Sequence, residues 1–155
     1  MELVFLWPGK TRNRHLQAVL DDYLQRLQPF CRARIVETPE ARGIKESSAE
    51  RILETEARGL EKYLKGGYII CLSDKGTMMT SEELARFIEK QAMSSARKLI
   101  FLVGGFLGLA PRLMEKANFW LSLSPMTFSH ELTRVVLLEQ VYRAMNLIKG
   151  YSYPK

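Results

Sequence analysis

Cysteine and histidine are nearly missing from this sequence. There are two of each, Cys31, Cys71, His15 and His130, and no CxxC or HxxxH spacing links them. Zinc sites need such ligands at short spacings, so no metal is expected. Cys71, in YIICLS, reads as a small buried hydrophobe. Sparse, unpatterned cysteine suits a reducing cytosol. Long hydrophobic runs are missing too. The longest, Leu99 to Pro111, is too short to span a bilayer as a helix. The start, MELVFLWPGK, has no basic segment and too short an apolar run for a signal peptide. The expectation is a cytoplasmic protein with no membrane partner. With no repeat, low-complexity stretch or linker, residues 1–155 read as one domain.

Two phosphate-binding signatures are also missing. A dinucleotide-binding domain carries GxGxxG after its first strand, with an acidic residue about 20 positions on. Here the glycines come late, as LVGGFLGL at 102–109, and GxGxxG is absent. A Walker A loop needs Gly-Lys-Ser/Thr, which Gly108-Leu109-Ala110 denies.

What is present is a basic chain with enough apolar residues for a core. Hydrophobic residues make up 46%, and 23 Lys and Arg against 17 Asp and Glu leave a net charge of +6. That balance favours an anionic partner, such as nucleic acid or an anionic membrane surface, unless it is simply a solvated basic face.

Strand and helix patterns alternate along the chain. Glu2 to Trp7 reads as a strand closed by Pro8-Gly9. Leu16, Val19, Leu20, Tyr23, Leu24 and Leu27 fall at helical spacing, which predicts a helix near 12–28. Ala33 to Thr38 is a second strand. Ser47-x-x-Glu50 opens a helix to about Lys65, and Thr80-x-x-Glu83 opens another to about residue 93. Between them Tyr68 to Leu72 is a third strand. Lys98 to Val103 is the fourth, Pro111 starts a short helix, and Phe119 to Leu123 is the fifth strand. The pattern predicts an α/β fold with a mainly parallel sheet flanked by helices.

The last helix, about Ser129 to Lys149, is apolar nearly all round. Such a helix is buried on more than one side. Either its own chain covers it or a second copy does, and the second reading predicts a homodimer.

The glycines at 104, 105 and 108 end the most apolar strand. They serve a turn, a close helix approach, or a ligand held against backbone. Parallel sheets bind ligands at the carboxyl ends of their strands. Leu72-Ser73-Asp74 and the run from Leu121 to His130 are two further strand ends that converge there. Backbone groups would bond the edge of a flat ring such as adenine, with Leu72, Leu123 and Met126 on its faces.

LVGGFLGL, LSLSPMTFSHELTRVVLLEQVYRA and the tyrosine-rich tail together resemble the ribosomal large-subunit methyltransferase H family. That family is a branch of the SPOUT, or trefoil-knot, methyltransferases. The resemblance spans essentially the whole chain, and the segment Met126 to Ala144 is its most specific part. It implies a C-terminal trefoil knot, a homodimer, and S-adenosylmethionine as cofactor. It implies N3-methylation of pseudouridine-1915 in large-subunit (23S) ribosomal RNA within the assembled ribosome. The cofactor positions it implies are Leu72, Gly104 and the run Leu123, Ser124, Pro125, Met126, Thr127 and Phe128. Gly105 is grouped with Gly104, because a Cβ at either would occupy cofactor space.

Deprotonating the pseudouridine N3 makes it a better nucleophile, so a base or a cation is sought. His130 opens the last helix. It is either a base or a residue bonded to a neighbouring loop. Arg134, one turn on, is read as a contact to substrate or cofactor, or as a partner of Glu131. Arg143 is spaced i, i+4 from Glu139. It is either an internal ion pair or, as the resemblance implies, an active-site cation facing RNA. Tyr153 matches the family's tail tyrosine. Lys149 and Lys155, with Tyr142, Tyr151 and Tyr153, suit contacts to a structured RNA loop. Lys10, Arg12 and Arg14 form a second basic cluster.

Three departures stand out. Pro154 replaces the family's tail histidine, so Tyr153, His130 or water must serve as base. Ser129 replaces a usual proline and suits a helix N-cap. Trp7-Pro8 replaces small or branched residues. Two other readings follow: a SPOUT-fold ribosome-binding protein with weak or lost catalysis, or a SPOUT methyltransferase acting on another RNA nucleotide.

Overall fold

A computed structural model describes residues 1–41 and 48–153. Its elements, in order, are β1 (Glu2–Pro8), α1 (Arg14–Leu27), β2 (Arg32–Thr38), α2 (Ala49–Glu61), β3 (Tyr68–Met78), α3 (Ser81–Met93), β4 (Lys98–Leu102), α4 (Pro111–Lys116), β5 (Phe119–Ser122) and α5 (His130–Ile148). The strands form one sheet in the order β2-β1-β4-β3-β5, and every pairing is parallel.

The inner strands are apolar on both faces because helices cover both faces. Period-2 alternation divides them. Leu3, Phe5, Trp7, Ile70, Leu99, Phe101 and Val103 join the core under α1, α3 and α5. Val4, Leu6, Ile69, Cys71, Ile100 and Leu102 join the core under α2 and α4. Phe5 stacks on Phe101 across β1 and β4, with ring centroids 5.4 Å apart.

Local chemistry sets the helix ends. The Asn13 side chain accepts from the backbone N–H groups of His15 and Leu16 and opens α1. Thr80 and Glu83 form the predicted capping box of α3. Ser129 caps α5 by accepting from the Leu132 N–H. The α2 capping box was expected at Ser47, which lies outside the described residues; α2 itself starts at Ala49, with Ser48 in the cap position and no side-chain bond.

β3 runs six residues past its expected end at Leu72. It pairs with β5 from Ile70 to Leu72, bulges, and pairs again at Thr77 and Met78. Gly76 permits the return, because a Cβ there would lie 2.7 Å from the Trp120 and Leu121 backbone.

α5 packs against both α1 and α3. Leu137, Leu138, Val141, Ala144 and Met145 are buried, while Leu132 and Leu147 stay 38% and 39% exposed. Its own chain covers most of α5 and leaves an apolar strip open.

Candidate functional site

The carboxyl ends of β3, β4 and β5 open into one cleft of about 620 Å³. Three stretches wall it: Leu72–Lys75 from the β3 bulge, Val103–Leu109 after β4, and Leu121–Thr133, Pro125, Glu131 and Leu132 excepted, after β5. Of the expected cofactor positions, Leu72, Gly104, Gly105, Leu123, Ser124, Met126, Thr127 and Phe128 line it, as does His130. Pro125 does not; it is exposed. Lys75, Phe106 and Thr133 also line it. Lys75 went unread because Ser73-Asp74-Lys75-Gly76 looks like an ordinary turn, yet it is the bulge of β3.

The glycine loop closes on itself. The Gly108 N–H donates to the Gly105 carbonyl at 3.0 Å, and Gly108 has φ +80°. The reason expected for Gly104 needs correcting. A Cβ on it would strike the Gly108 backbone at 2.5 Å, before any ligand. A Cβ on Gly105 would point at Pro8 and the Glu56 carboxylate, both 3.1 Å away. Bare backbone lines the cleft because the loop folds tightly, and any ligand meets that backbone as a consequence.

The second loop is braced from within. Ser122 Oγ donates to the Ser124 carbonyl at 3.0 Å, and Ser124 Oγ accepts from the Met126 N–H at 2.9 Å. Apolar surface stands ready at the rim, with Phe106 78% and Met126 74% exposed. His130 is half-buried at the edge of the cleft. Burial, then the nearby Arg134 charge, pushes its imidazole below the usual value. Its neutral, proton-accepting form is therefore favoured.

Arg134 overturns its expected role as a substrate or cofactor contact. It is fully buried. Its guanidinium donates to Thr11 Oγ1 and to the Pro8 carbonyl, both at 2.9 Å, and lies 4.9 Å from the Trp7 ring centroid. Burial lowers its pKa to about 10. Glu131 is not its hydrogen-bonding partner: that carboxylate accepts from the Arg12 and Asn13 N–H groups at 2.9 Å, at the start of α1. The Trp7-Pro8 departure thus has a structural account as the seat of Arg134.

The other expected catalytic residues lie outside this cleft. Arg143 bonds Glu139 at 3.1 Å and stands 4.3 Å over the Tyr153 ring. It is thirteen residues beyond His130 on α5, about 20 Å at the helical rise. Tyr153 packs edge-on against Tyr142, and its hydroxyl is 3.4 Å from that of Tyr23. Burial, with the Tyr23 hydroxyl, raises its pKa to about 12, so Tyr153 is a poor base at neutral pH. Lys149 is exposed at the end of α5. Pro154 and Lys155 lie outside the described residues. In the second basic cluster, Arg12 pairs with Glu40. Among the described residues no cluster of His, Cys, Asp or Glu is placed to hold a metal, and no helix is long and apolar enough to cross a membrane.

A parallel sheet whose last three strands open into a backbone-lined cleft, closed by a long C-terminal helix, is the fold of the SPOUT methyltransferases. Solved structures share it. A chain described as a "Probable Methyltransferase from Bordetella pertussis Tohama I" matches with a TM-score of 0.58 at 13% identity, covering 92% of this chain and 95% of that one. The TrmJ structure from Z. mobilis ZM4 matches with a TM-score of 0.52 at 14% identity, covering 92% and 68%.

The family described as "Predicted SPOUT methyltransferase" matches residues 1–153, and the chain belongs to it. Its relatives include the ribosomal RNA large subunit methyltransferase H of Carboxydothermus hydrogenoformans, 36% identical over 159 residues and 100% of both chains. The protein of the same name from Clostridium botulinum (strain Okra / Type B1) is 37% identical over 161 residues, again 100% of both.

Proposed function

We propose that this methyltransferase moves a methyl group from S-adenosylmethionine to N3 of pseudouridine-1915 in large-subunit ribosomal RNA. It acts in the cytoplasm on the assembled ribosome, as a homodimer of single-domain chains. The observation that carries the reading is the convergence of three strand-end loops on one cleft with a neutral-leaning histidine at its edge. The names of the full-length relatives support large-subunit ribosomal RNA as the substrate class, and the nucleotide and atom rest on the family resemblance.

The cleft suits the cofactor. Leu72, Leu123, Met126 and Phe128 offer apolar cover for an adenine, and the loop backbones offer donors and acceptors for its edge. The cofactor, when bound, supplies the electrophilic methyl group. His130 then accepts the N3 proton, directly or through water. Holding the nitrogen in line is mostly a matter of positioning.

Arg143 acts from a second copy. Within one chain it is about 20 Å from His130, too far to act on the same base. The open apolar strip of α5, with Leu132 and Leu147, is the surface the second copy would cover. Lys149 extends the positive surface toward RNA phosphates, and Lys155 is a further phosphate contact on its charge alone. The knotted C-terminal path belongs to the same proposal, with Arg134 tying α5 to the β1–α1 loop.

Two observations favour a second reading, a ribosome-binding protein without catalysis: Tyr153 is held protonated and Pro154 stands in the histidine's place. Incubating the protein with labelled S-adenosylmethionine and ribosomes lacking the modification separates the two. Label in large-subunit RNA supports methyl transfer. Cofactor binding without label supports the second reading.

A further inference from the structure

Glu56 is a half-buried carboxylate on α2, and among the described residues no hydrogen bond acts on it; burial and the charges of Glu40 and Arg134 do. Its Oε2 and Oε1 lie 3.1 Å and 3.5 Å from where a Gly105 Cβ would stand, and Pro8 Cγ touches the same point at 3.1 Å. Gly105 therefore has the Glu56 carboxylate as a near neighbour and is itself part of the cleft wall.

Such a group is costly. An unbonded, half-buried charge lowers stability, and an apolar side chain in its place is often neutral or stabilising. Its effect on Arg134 does not account for it. Of the four carboxylates that act on Arg134, namely Glu131, Glu37, Glu40 and Glu56, Glu56 contributes least. The glycine loop is the other neighbour its carboxylate meets.

We infer that Glu56 makes the cleft selective for a positively charged ligand, acting through the bare Gly105 backbone. Glu56 is half-buried, so its charge is less screened than that of a fully exposed carboxylate. Asp74, the carboxylate in the cleft wall itself, is exposed, so water and salt screen it. The inference rests on the cofactor reading above. S-adenosylmethionine carries a sulfonium charge; S-adenosylhomocysteine has the same adenosine and amino-acid ends and a neutral thioether.

The test is calorimetric titration of both compounds into the full chain and its Glu56→Gln, Glu56→Met and Asp74→Asn variants. Glu56→Gln is expected to weaken S-adenosylmethionine about fivefold to tenfold and S-adenosylhomocysteine less than twofold. Glu56→Met, a second neutral variant without a buried polar group, should show the same split. Asp74→Asn should change the ratio of the two affinities less than either. A purely structural role would weaken both compounds alike, and that result would overturn the inference. So would an unchanged ratio in both Glu56 variants, or a ratio change confined to Asp74→Asn. If the wild-type chain binds neither compound, the cofactor reading itself fails and the inference falls with it.

Discussion

The guanidinium of Arg134 lies 4.9 Å from the centroid of the Trp7 ring, with no solvent-exposed surface on either residue. This contact joins the last helix to the end of the first strand. It also donates to the Pro8 carbonyl and Thr11 Oγ1, so removing it leaves two acceptors without their partner. Arg134→Ala should cost roughly 3–5 kcal/mol of unfolding free energy, measured in urea. Arg134→Lys should rescue little, because a lysine cannot reproduce the fork or the flat stack. A loss below roughly 1 kcal/mol for the alanine variant would remove Arg134 as the tie between α5 and β1.

Gly104→Ala tests the account of the glycine loop. The added methyl meets the Gly108 backbone at 2.5 Å, so the loop must shift. S-adenosylmethionine affinity should fall at least about tenfold, with a loss of roughly 1–3 kcal/mol in stability. Lost affinity at unchanged stability would instead favour direct displacement of the ligand.

His130 governs the acid side of the pH–rate profile. Its value lies below 6.5 because burial and Arg134 disfavour the imidazolium. The neutral base thus persists below pH 6.5, and the acid limb of kcat should lie below that pH. The stability linkage has the same cause. Below pH 6.5 the unfolded chain takes up the proton before the folded one does. Stability therefore falls as pH drops through that window, and it rises again with pH. His130→Asn should flatten this dependence and reduce kcat about 10²- to 10⁴-fold. An unchanged kcat would assign the base elsewhere.

Arg143 and His130 supply a mixing test. If the site draws Arg143 from a second copy, Arg143→Ala and His130→Ala are each inactive as homodimers. Mixed after joint refolding, they should regain activity, because some dimers then carry one intact site. No recovery would mean that Arg143 acts within its own chain or not on the reaction. S-adenosylmethionine affinity should stay unchanged in Arg143→Ala, since Arg143 does not line the cleft.

Much of the fold is legible in the residues because local signals agree. Leu3 to Trp7 and Leu99 to Val103 are apolar without alternation, as strands buried on both faces must be. Thr80 and Glu83, Pro111 and Ser129 mark helix starts that the structure keeps. β3 is the exception. Its second half hides in a run of turn residues, and only the neighbouring β5 backbone shows why Gly76 is a glycine.

The site was legible as loops and not as roles. Strand ends can be placed from sequence, so most of the cleft-lining positions were within reach. Arg134 looks like any helix arginine in the chain, and its burial depends on a tryptophan 127 positions away. The distance from His130 to Arg143 follows from helix geometry alone, but its meaning needed the position of the cleft.

The most direct test of the whole account is to map the labelled nucleotide after transfer from S-adenosylmethionine to ribosomes lacking the modification. Assembled ribosomes and protein-free ribosomal RNA would be run side by side. The account predicts label at N3 of pseudouridine-1915, in the assembled ribosomes only. Label on another nucleotide, or no label from a protein that binds the cofactor, would contradict it.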